Sequence, residues 1–366
     1  MPEMTKVVCF GEIMGRLAPE GFLRFSQCCP GSLDLTFAGA EANVAVSISL
    51  LGGRAAFVSA LPKHAIADAC VGNLRGLGVD TGHILRTDTG RLGLYFVETG
   101  ANQRPSNVLY DRDGAAVAIT PADAYPWNAI FADAGWLHVT GITPALSRSA
   151  ADATSAAAQA AKERGVTVSC DLNFRKKLWR WDDARTPREL AERSLRKILP
   201  FVDVVIANEE DAADVLGIRA ADTDVGAGQL EVERYPEVAA AITAQFTNVQ
   251  KVAITLRESI SASHNNWGAM LFDAQSGQAC FAPMRDGRYQ PHEIRNIVDR
   301  VGGGDAFAAG LIFAMHTGEF PTDRQAIQFA VAASCLAHSI KGDFNFSSRA
   351  DVEALMTRGG SGRVVR

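Results

Sequence analysis

Short hydrophobic runs alternate with longer stretches of helical apolar spacing along most of this chain. Lys6–Gly11 (KVVCFG) is the first such run, and Glu41–Gly53 (EANVAVSISLLGG) has helical spacing and ends on glycines, a common C-terminal signal of a helix. Further strands are predicted in AAFVSAL, AGWLHVTG, VTVSCDLN, VDVVIANEED, VAITL and NWGAMLFDA, and further helices in HAIADACVGNLRGLGV, in SRSAADATSAAAQAAKERG, after Gly304 and over Gln325–Ile340. The alternation predicts an α/β fold with a mostly parallel central sheet and helices on both faces.

Two regions, residues 12–38 and 90–118, interrupt this alternation with irregular or β-like segments and no predicted helix. RLGLYFVETG and RPSNVLYDRDGAAVAI read as a β pair, so we expect these regions to form a small β-sheet lid over the ligand edge of the main sheet. Ala220–Pro236 is polar and contains glycine, which indicates a surface loop. Residues 1–366 are expected to form a single domain carrying this lid.

Composition excludes several classes of protein. The chain has 366 residues, is 47% hydrophobic and carries a net charge of −5, so neither nucleic acid nor an anionic membrane is expected as a partner. No apolar run is long enough to span a bilayer, and MPEMTKVVCFGEIM does not resemble a signal peptide. Seven scattered cysteines without a C-x-x-C pair are typical of reduced thiols in a cytoplasmic protein.

Three consecutive glycines stand before an aspartate in Asn296–Met315, NIVDRVGGGDAFAAGLIFAM. Glycine is costly to order, but a glycine turn that opens a helix exposes backbone N–H groups to an anion at the positive end of the helix dipole. Asp305 would then lie in the first helical turn, where it could accept a proton as phosphate arrives. From this motif alone, an equally good interpretation is structural: the glycines form a tight turn and Asp305 caps the helix that follows. Neither a Walker A loop nor a dinucleotide fingerprint is present.

Asp299–Gly310, DRVGGGDAFAAG, resembles the C-terminal signature D-x-x-G-A-G-D-x-F of the ribokinase/PfkB family of sugar kinases, with Gly303 in place of alanine. Phe37–Gly53, FAGAEANVAVSISLLGG, resembles the family's N-terminal signature, so the resemblance covers nearly the whole chain. Cys170–Trp179, CDLNFRKKLW, is similar to D-x-N-x-R-x-x-L-W of 2-keto-3-deoxygluconate kinases, and FGEIMGRLAPEGFLRF, VLYDR and HSIKGDFN fit the same subfamily. The resemblance implies a ribokinase-like fold and phosphorylation of the terminal hydroxyl of a keto-deoxy sugar acid by ATP with Mg2+.

The resemblance also implies roles for individual residues. Asp305 would be the general base, and the backbone N–H groups of Gly302, Gly303 and Gly304 would hold the transferring phosphate. The positions implied for the sugar acid are Gly39, Asn43, Tyr95, Tyr110, Arg112, Asp171, Asn173 and Arg175. Chemistry independently favours the arginines, because guanidinium binds a carboxylate through two hydrogen bonds. Six of these residues also have a structural alternative: a surface ion pair for Arg175, lid residues for the two tyrosines and Arg112, and strand-end turns for Asp171 and Asn173.

The positions implied for nucleotide are Asn208, Thr255, Arg257, Gly302, Gly304 and Asn345. Asn208–Asp211 (NEED) resembles an N-x-x-E element that places magnesium through water, so Glu210 or Asp211 would take that role. An acidic helix start is the alternative. The chain departs from the family in Thr255–Gly268, TLRESISASHNNWG, where relatives often have a glycine turn, and in Val331, where they often have asparagine. ATP remains the expected nucleotide, with other triphosphates open.

Two other functions stay open at this stage. One is the same chemistry on a neutral ketose such as fructose, and the other is a non-catalytic sugar sensor on this fold. A homodimer or higher homo-oligomer is expected, because the uncovered lid sheet would need a partner.

Overall fold

A computed structural model describes residues 4–208, 210–218 and 232–358 of the chain. The strands are β1 (Lys6–Phe10), β2 (Met14–Ala18), β3 (Asp34–Ala38), β4 (Ala55–Pro62), β5 (Ile84–Thr87), β6 (Gly93–Glu98), β7 (Asn107–Asp111), β8 (Ala134–Thr140), β9 (Thr167–Asp171), β10 (Val204–Ala207), β11 (Lys251–Ser261), β12 (His264–Asp273), β13 (Gln278–Ala282), β14 (Met284–Arg285), β15 (Arg288–Tyr289) and β16 (His292–Arg295). The helices are α1 (Phe25–Cys28), α2 (Ala40–Leu50), α3 (Ala65–Gly76), α4 (Ala116–Ile119), α5 (Trp127–Ile130), α6 (Arg148–Lys162), α7 (Pro187–Ile198), α8 (Asp211–Leu216), α9 (Tyr235–Gln245), α10 (Gly303–Thr317), α11 (Asp323–Ala337) and α12 (Arg349–Arg358).

Ten of these strands form the central sheet, in the order β13-β12-β11-β10-β9-β8-β1-β4-β5 with β16 paired to β12. The seven adjacent strands in the order β11-β10-β9-β8-β1-β4-β5 are parallel to one another. Strand β12 then runs antiparallel to β11. The predicted α/β architecture is therefore confirmed, with an antiparallel edge that the sequence did not indicate. Because the parallel strands share one direction, their carboxyl ends meet at one edge of the sheet.

Helices cover both faces of this sheet. Because side chains alternate along each strand, the hydrophobic core is divided into two clusters, one on each face. Val7 and Cys9 of β1 belong to one apolar cluster, with residues of α2, α3, α10 and α11. Val8 and Phe10 belong to a second cluster, with residues of α6, α7 and α9. Successive side chains of a strand point to opposite faces, so β1 is hydrophobic throughout because both of its faces are buried.

A second sheet of four strands, in the order β3-β2-β6-β7, forms the lid within the two regions that interrupted the alternation. The predicted β pair is present as β6 and β7, which are antiparallel. The expectation of no helix in these regions was wrong, because α1 and α4 each form a single turn there. Such a short helix buries too little surface to leave a periodic pattern. Leu35 and Leu109 stay exposed on the lid, the kind of surface that the expected homo-oligomer would cover.

The polar segment after Thr255 forms a long hairpin of β11 and β12, which pair over nearly their full length. Its tip reaches the lid, where the Ala262 amide donates to the Asn102 carbonyl over 2.8 Å. The predicted loop Ala220–Pro236 falls largely outside the described residues, and its described end forms a 3₁₀ turn, Val232–Arg234, followed by the start of α9. In the described part of the chain, no helix is long and apolar enough to cross a membrane.

Candidate active site

A cleft of about 390 Å3 lies between the lid and the carboxyl ends of the parallel strands. The residues predicted from the sequence that line it are Gly39, Asn43, Tyr95, Tyr110, Arg112, Asp171, Asn173, Arg175, Asn208, Asp211, Thr255, Arg257, Gly302, Gly303, Gly304 and Asp305. Two of the predicted residues, Glu210 and Asn345, are not among its lining residues. The fold thus gathers residues from both signatures, which are about 250 positions apart in the sequence, around one space.

Asp305 lies in the first turn of α10, where its carboxylate is held by Asn43 of α2. The Asn43 Nδ2 group donates to Asp305 Oδ2 over 2.6 Å, and its Oδ1 accepts from the amide of Gly39 over 3.2 Å. Gly39 has no room for a side chain, because a Cβ there would lie 2.0 Å from the Glu12 carbonyl oxygen. The first turns of α2 and α10 therefore meet, and Asn43 orients the Asp305 carboxylate.

The pKa of Asp305 is raised to about 7, chiefly because the carboxyl group is withdrawn from water. The negative charges of Asp343 and Glu41 raise it further, whereas the Asn43 hydrogen bond and the charge of Arg175 lower it. A base with a pKa near the working pH combines a substantial ionised fraction with a strong affinity for the proton. Asp305 is therefore equipped to accept a proton at neutral pH.

The glycine turn before α10 has a different reason for glycine at each position. Gly302 caps the helix at φ 83°, and its Cβ would lie 2.3 Å from the Asp343 carbonyl oxygen. At Gly303 a Cβ would lie 3.0 Å from the His338 ring, so a side chain there would be tightly packed. Gly304 is exposed, and a Cβ there would meet no protein atom within 4 Å. The space over Gly304 is therefore left for a ligand, at the positive end of the α10 dipole.

Replacing Gly304 with Ala is expected to lower kcat by about 10- to 1000-fold, because the methyl group would occupy the space of a bound anion. Folding should be unaffected or slightly more stable, by about 0.5–1 kcal/mol, since no clash arises and alanine favours the helix. Gly72→Ala in α3 is the matched control, because Gly72 is also helical and also free of neighbours. Steady-state kinetics and a thermal melt of both variants measure these effects. Equal kcat values for Gly304→Ala and Gly72→Ala would contradict the expectation.

Two arginines in the cleft lining, Arg112 just after lid strand β7 and Arg175 in the loop after β9, differ in their availability. Arg112 is buried and forms an ion pair with the buried Glu12, so its charge is already compensated. Arg175 is exposed; its Nη1 group donates to the Phe174 carbonyl over 3.1 Å, and it forms no ion pair with a described residue. Arg175 is therefore the better placed of the two for a carboxylate ligand.

The two tyrosines of the lid also differ. The Tyr95 hydroxyl donates to Asp343 Oδ1 over 2.7 Å in a buried position, whereas Tyr110 is exposed. Their rings are 6.0 Å apart, and the Arg112 guanidinium lies 5.3 Å from the centre of the Tyr110 ring. Tyr95 thus belongs to the lid core and a buried hydrogen-bond network, and Tyr110 presents a ring to the cleft.

Asp171, at the end of β9, is buried, and its pKa is raised well above the ordinary value by burial and by Asp211 and Asp305. It holds a tight turn, because Oδ1 accepts from the Asn173 amide over 3.1 Å while Asn173 adopts a φ of 37°. Asparagine tolerates this left-handed backbone better than most residues. Asp171 and Asn173 therefore form the strand-end turn given above as the structural alternative, and their side chains also line the cleft.

In the NEED element, Asp211 rather than Glu210 faces the cleft. Both Asp211 oxygens accept backbone N–H groups, from Phe174 over 3.0 Å and from Asn208 over 3.1 Å. The Asn208 Oδ1 atom accepts from the amides of Glu210 and Asp211, which closes the turn that leads into α8. The predicted acidic helix start is therefore present, and burial raises the pKa of Asp211.

On the predicted nucleotide side, Thr255 and Arg257 of β11 line the cleft beside Trp267 and Arg300. Arg300 ties the hairpin tip to the glycine turn, donating to the carbonyls of Ser261 and Ala262. The structure does not bring Asn345 here. Its amide is buried, donates to the Ala333 carbonyl over 3.1 Å and accepts from the Ser347 amide.

Several residues around the cleft were not singled out from the sequence: Glu12, Glu41, Trp267, Arg300 and Asp343. Glu12, Glu41 and Asp343 lie within segments already noted for their resemblance, FGEIM, FAGAEAN and HSIKGDFN, and an acidic residue in such a segment was the available signal. With Asp171, Asp211 and Asp305 they make six carboxyl groups in the lining, against four arginines.

The cleft suits a magnesium-bound triphosphate. The open backbone over Gly304 can receive phosphate oxygens. The mutual repulsion of Asp171, Asp211 and Asp305 would be relieved by a divalent cation. Within the described residues no group of three or more His, Cys, Asp or Glu could hold a metal ion. Mg2+ in general keeps several waters and uses few protein carboxylates beside substrate phosphates.

Comparison with known proteins gives the family. The model of the pfkB family carbohydrate kinases matches residues 4–348. A 2-dehydro-3-deoxygalactonokinase from Haloferax volcanii is 33% identical over 98% of both chains. The crystal structure of 2-dehydro-3-deoxygluconokinase from Thermotoga maritima is 42% identical, with a TM-score of 0.86 over 97% of this chain and 99% of that one. A fructokinase from Xylella fastidiosa with bound ATP, 22% identical, shares the fold with a TM-score of 0.73 over 97% of this chain and 99% of its own.

Proposed function

Because this chain belongs to the pfkB family of carbohydrate kinases, we propose that it phosphorylates the terminal hydroxyl of 2-keto-3-deoxygluconate with ATP and Mg2+. The observation that carries the proposal is the pairing of Asp305 and the open turn at Gly304 with an exposed arginine, Arg175, around one cleft. A base beside an anion site is what phosphoryl transfer needs, and an added cation suits an acidic sugar.

In the proposed mechanism, ATP supplies the phosphoryl group when bound, with Mg2+ neutralising its charge. Asp305 accepts the proton of the substrate's terminal hydroxyl, and Asn43 keeps the Asp305 carboxylate turned towards the cleft. The N–H groups at the start of α10 stabilise negative charge on the transferred group, and no side chain of Gly304 stands in their way. The lid strands β6 and β7 cover the sugar and exclude water that would otherwise hydrolyse ATP.

Arg175 is assigned to the substrate carboxylate. It is exposed to the cleft, whereas the competing Arg112 is already paired with Glu12. Arg175 also lowers the pKa of Asp305, so its charge is felt at the reacting end of the cleft.

Replacing Arg175 with Leu is expected to lower kcat/KM for the keto-deoxy acid by about 10- to 100-fold, the equivalent of a lost charged hydrogen-bond pair. Turnover of a neutral ketose should change much less. The measurement is coupled ADP release with Mg-ATP on 2-keto-3-deoxygluconate, its galacto epimer, fructose and ribose, for wild type, Arg175→Leu and Arg175→Lys. Use of neutral sugars alone by the wild type would reject the acidic substrate while leaving a sugar kinase.

A second candidate substrate is the galactonate-derived epimer, favoured by the similarity to the Haloferax volcanii protein over nearly the full chain. The two acids differ at one hydroxyl and share the carboxylate, so Arg175 serves both. The ratio of kcat/KM for the two acids in the same panel decides between them.

A further inference from the structure

A second groove, of about 870 Å3, opens beside the cleft, between lid strand β7 and the loop after β9. Val108, Tyr110 and Arg112 line both spaces, so the groove is continuous with the lid side of the cleft. Lys177 and Arg180 form part of its opposite wall.

The loop that carries these cations, residues 175–180 (RKKLWR), holds four positive charges in six positions. Arg175, Lys176, Lys177 and Arg180 are all exposed, and none of them forms an ion pair with a described residue. The groove's acidic residues offer little compensation: Asp111 is paired with Arg91 at 2.7 Å, which leaves Asp113 as the remaining carboxylate in its lining.

The loop is firmly attached to the body of the protein. Trp179 is 1% exposed and packs with Leu190 and Ala191 of α7. The Trp181 indole donates to the Pro144 carbonyl over 3.1 Å, and the Phe174 amide donates to Asp211. The cations beside these anchors are therefore presented from a fixed backbone rather than from a free chain.

The cleft lining holds four arginines and six carboxyl groups, and Arg112 is already paired with Glu12, so little positive charge is left in it to draw an acid in from solution. Cations at the entrance would add that attraction. The loop supplies such cations on the side where the groove joins the cleft. This argument rests on the proposed acidic substrate.

We propose that the groove is an outer anion site, in which Lys177 and Arg180 attract the carboxylate of the sugar acid and pass it to Arg175. The ligand class is a small polyhydroxy carboxylate. The site acts on capture of the substrate, so it influences kcat/KM rather than the transfer step.

The test is Lys177→Gln/Arg180→Gln in the full chain, with 2-keto-3-deoxygluconate as substrate. At about 0.01 M salt, kcat/KM is expected to fall about three- to tenfold, and at about 1 M salt the difference should disappear because the charges are screened. The kcat and the KM for Mg-ATP should stay unchanged. Arg164→Gln/Arg324→Gln is the matched control: it removes the same charge from exposed residues that line neither space, and it should behave as wild type.

Equal kcat/KM for the double variant and wild type at low salt would overturn the outer site and leave the proposed function standing. A loss of kcat/KM that persists at high salt would show that Lys177 and Arg180 have a structural role. A parallel rise in the KM for Mg-ATP would show that they act through the overall charge of the protein rather than on the sugar acid. Either result would also overturn the outer anion site. Failure of the wild type to use the acid at all would overturn both proposals, and that is seen before any variant is compared.

Discussion

Replacing Asp305 with Asn is expected to lower kcat by about 10²- to 10⁴-fold, because the amide keeps the shape of the side chain but cannot accept the substrate's proton. The Asn43 amide that now donates to Asp305 would still find an acceptor in the carbonyl oxygen of the substituted side chain, so binding should change little. Coupled ADP release under saturating sugar acid and Mg-ATP measures the loss. Retention of more than about a tenth of the wild-type kcat would exclude Asp305 as the general base.

The pH profile separates loss of a base from damage to the site. In the wild type, kcat/KM should rise as Asp305 ionises and level off above about pH 7, since withdrawal from water raises the pKa of this carboxyl group to about 7. An aspartate with its ordinary pKa would give a profile that is flat over this range. The small residual activity of Asp305→Asn should lack this rise.

The same variant should lose activity but gain stability, so its free energy of unfolding provides a control. The pKa of Asp305 in the folded chain lies above its ordinary value of 3.8, so the unfolded chain gives up this proton more readily. The Asp305 carboxyl group therefore lowers the free energy of unfolding progressively as pH rises from about 4 to about 7. Above about pH 7 this loss of stability stays constant. Asp305→Asn removes the cost and should be more stable than wild type by about 1–3 kcal/mol at pH 8 and little at pH 4. A variant less stable at pH 8 would contradict this account.

The parts of the fold that could be predicted from the sequence are those whose cause is local. β1 and β4 are nearly continuous apolar runs because both faces are buried, and the start of α10 is marked by glycines, of which Gly302 serves the tight turn and Gly304 leaves its backbone open. The two signatures could be assigned to one cleft because parallel strands place their carboxyl ends at one edge.

Some of the missed features depend on distant partners, and one was readable in the sequence. Helix α7 is polar on average, but Leu190, Ala191, Leu195 and Ile198 recur at helical spacing on one buried face, and Thr186 and Glu189 form a capping box, so both signals were available. The inner halves of β11 and β12 were predicted as strands, whereas their outer half was read only as a polar segment because it is stabilised by pairing rather than by burial. No local pattern could show that Arg112 is neutralised by Glu12, one hundred positions away.

The most distant of these pairings connects the lid to the glycine turn. Arg16 of β2 donates to Asp343 over 2.5 Å and also to Asp299, and all three side chains are buried. Asp299 precedes the glycine turn and accepts from the Val301 amide, while the backbone of Asp343 packs on Gly302. Tyr95 of β6 joins the same network through Asp343. The Arg16 guanidinium therefore holds two carboxylates that flank the anion site and fastens β2 to them, and the Tyr95 hydroxyl fastens β6 to one of them.

Replacing Arg16 with Met is expected to lower the free energy of unfolding by about 3–5 kcal/mol, because it leaves two buried carboxylates without their cation. The loss should be smaller at pH 5 than at pH 8, since burial already raises the pKa of Asp343 and protonation would relieve part of the cost. Urea denaturation followed by tryptophan fluorescence at both pH values measures this.

Arg91→Met is the matched control, because Arg91 also binds a carboxylate of a lid strand, that of Asp111, with both side chains more than 40% exposed. An exposed pair is worth about 0–1 kcal/mol, so this variant should unfold nearly as wild type does. Equal stabilities of the two variants would show that the buried network does not hold the lid. A large loss confined to Arg16→Met, with kcat falling in the same variant at temperatures where it is still folded, would show that the lid strands position the turn at which phosphate is transferred.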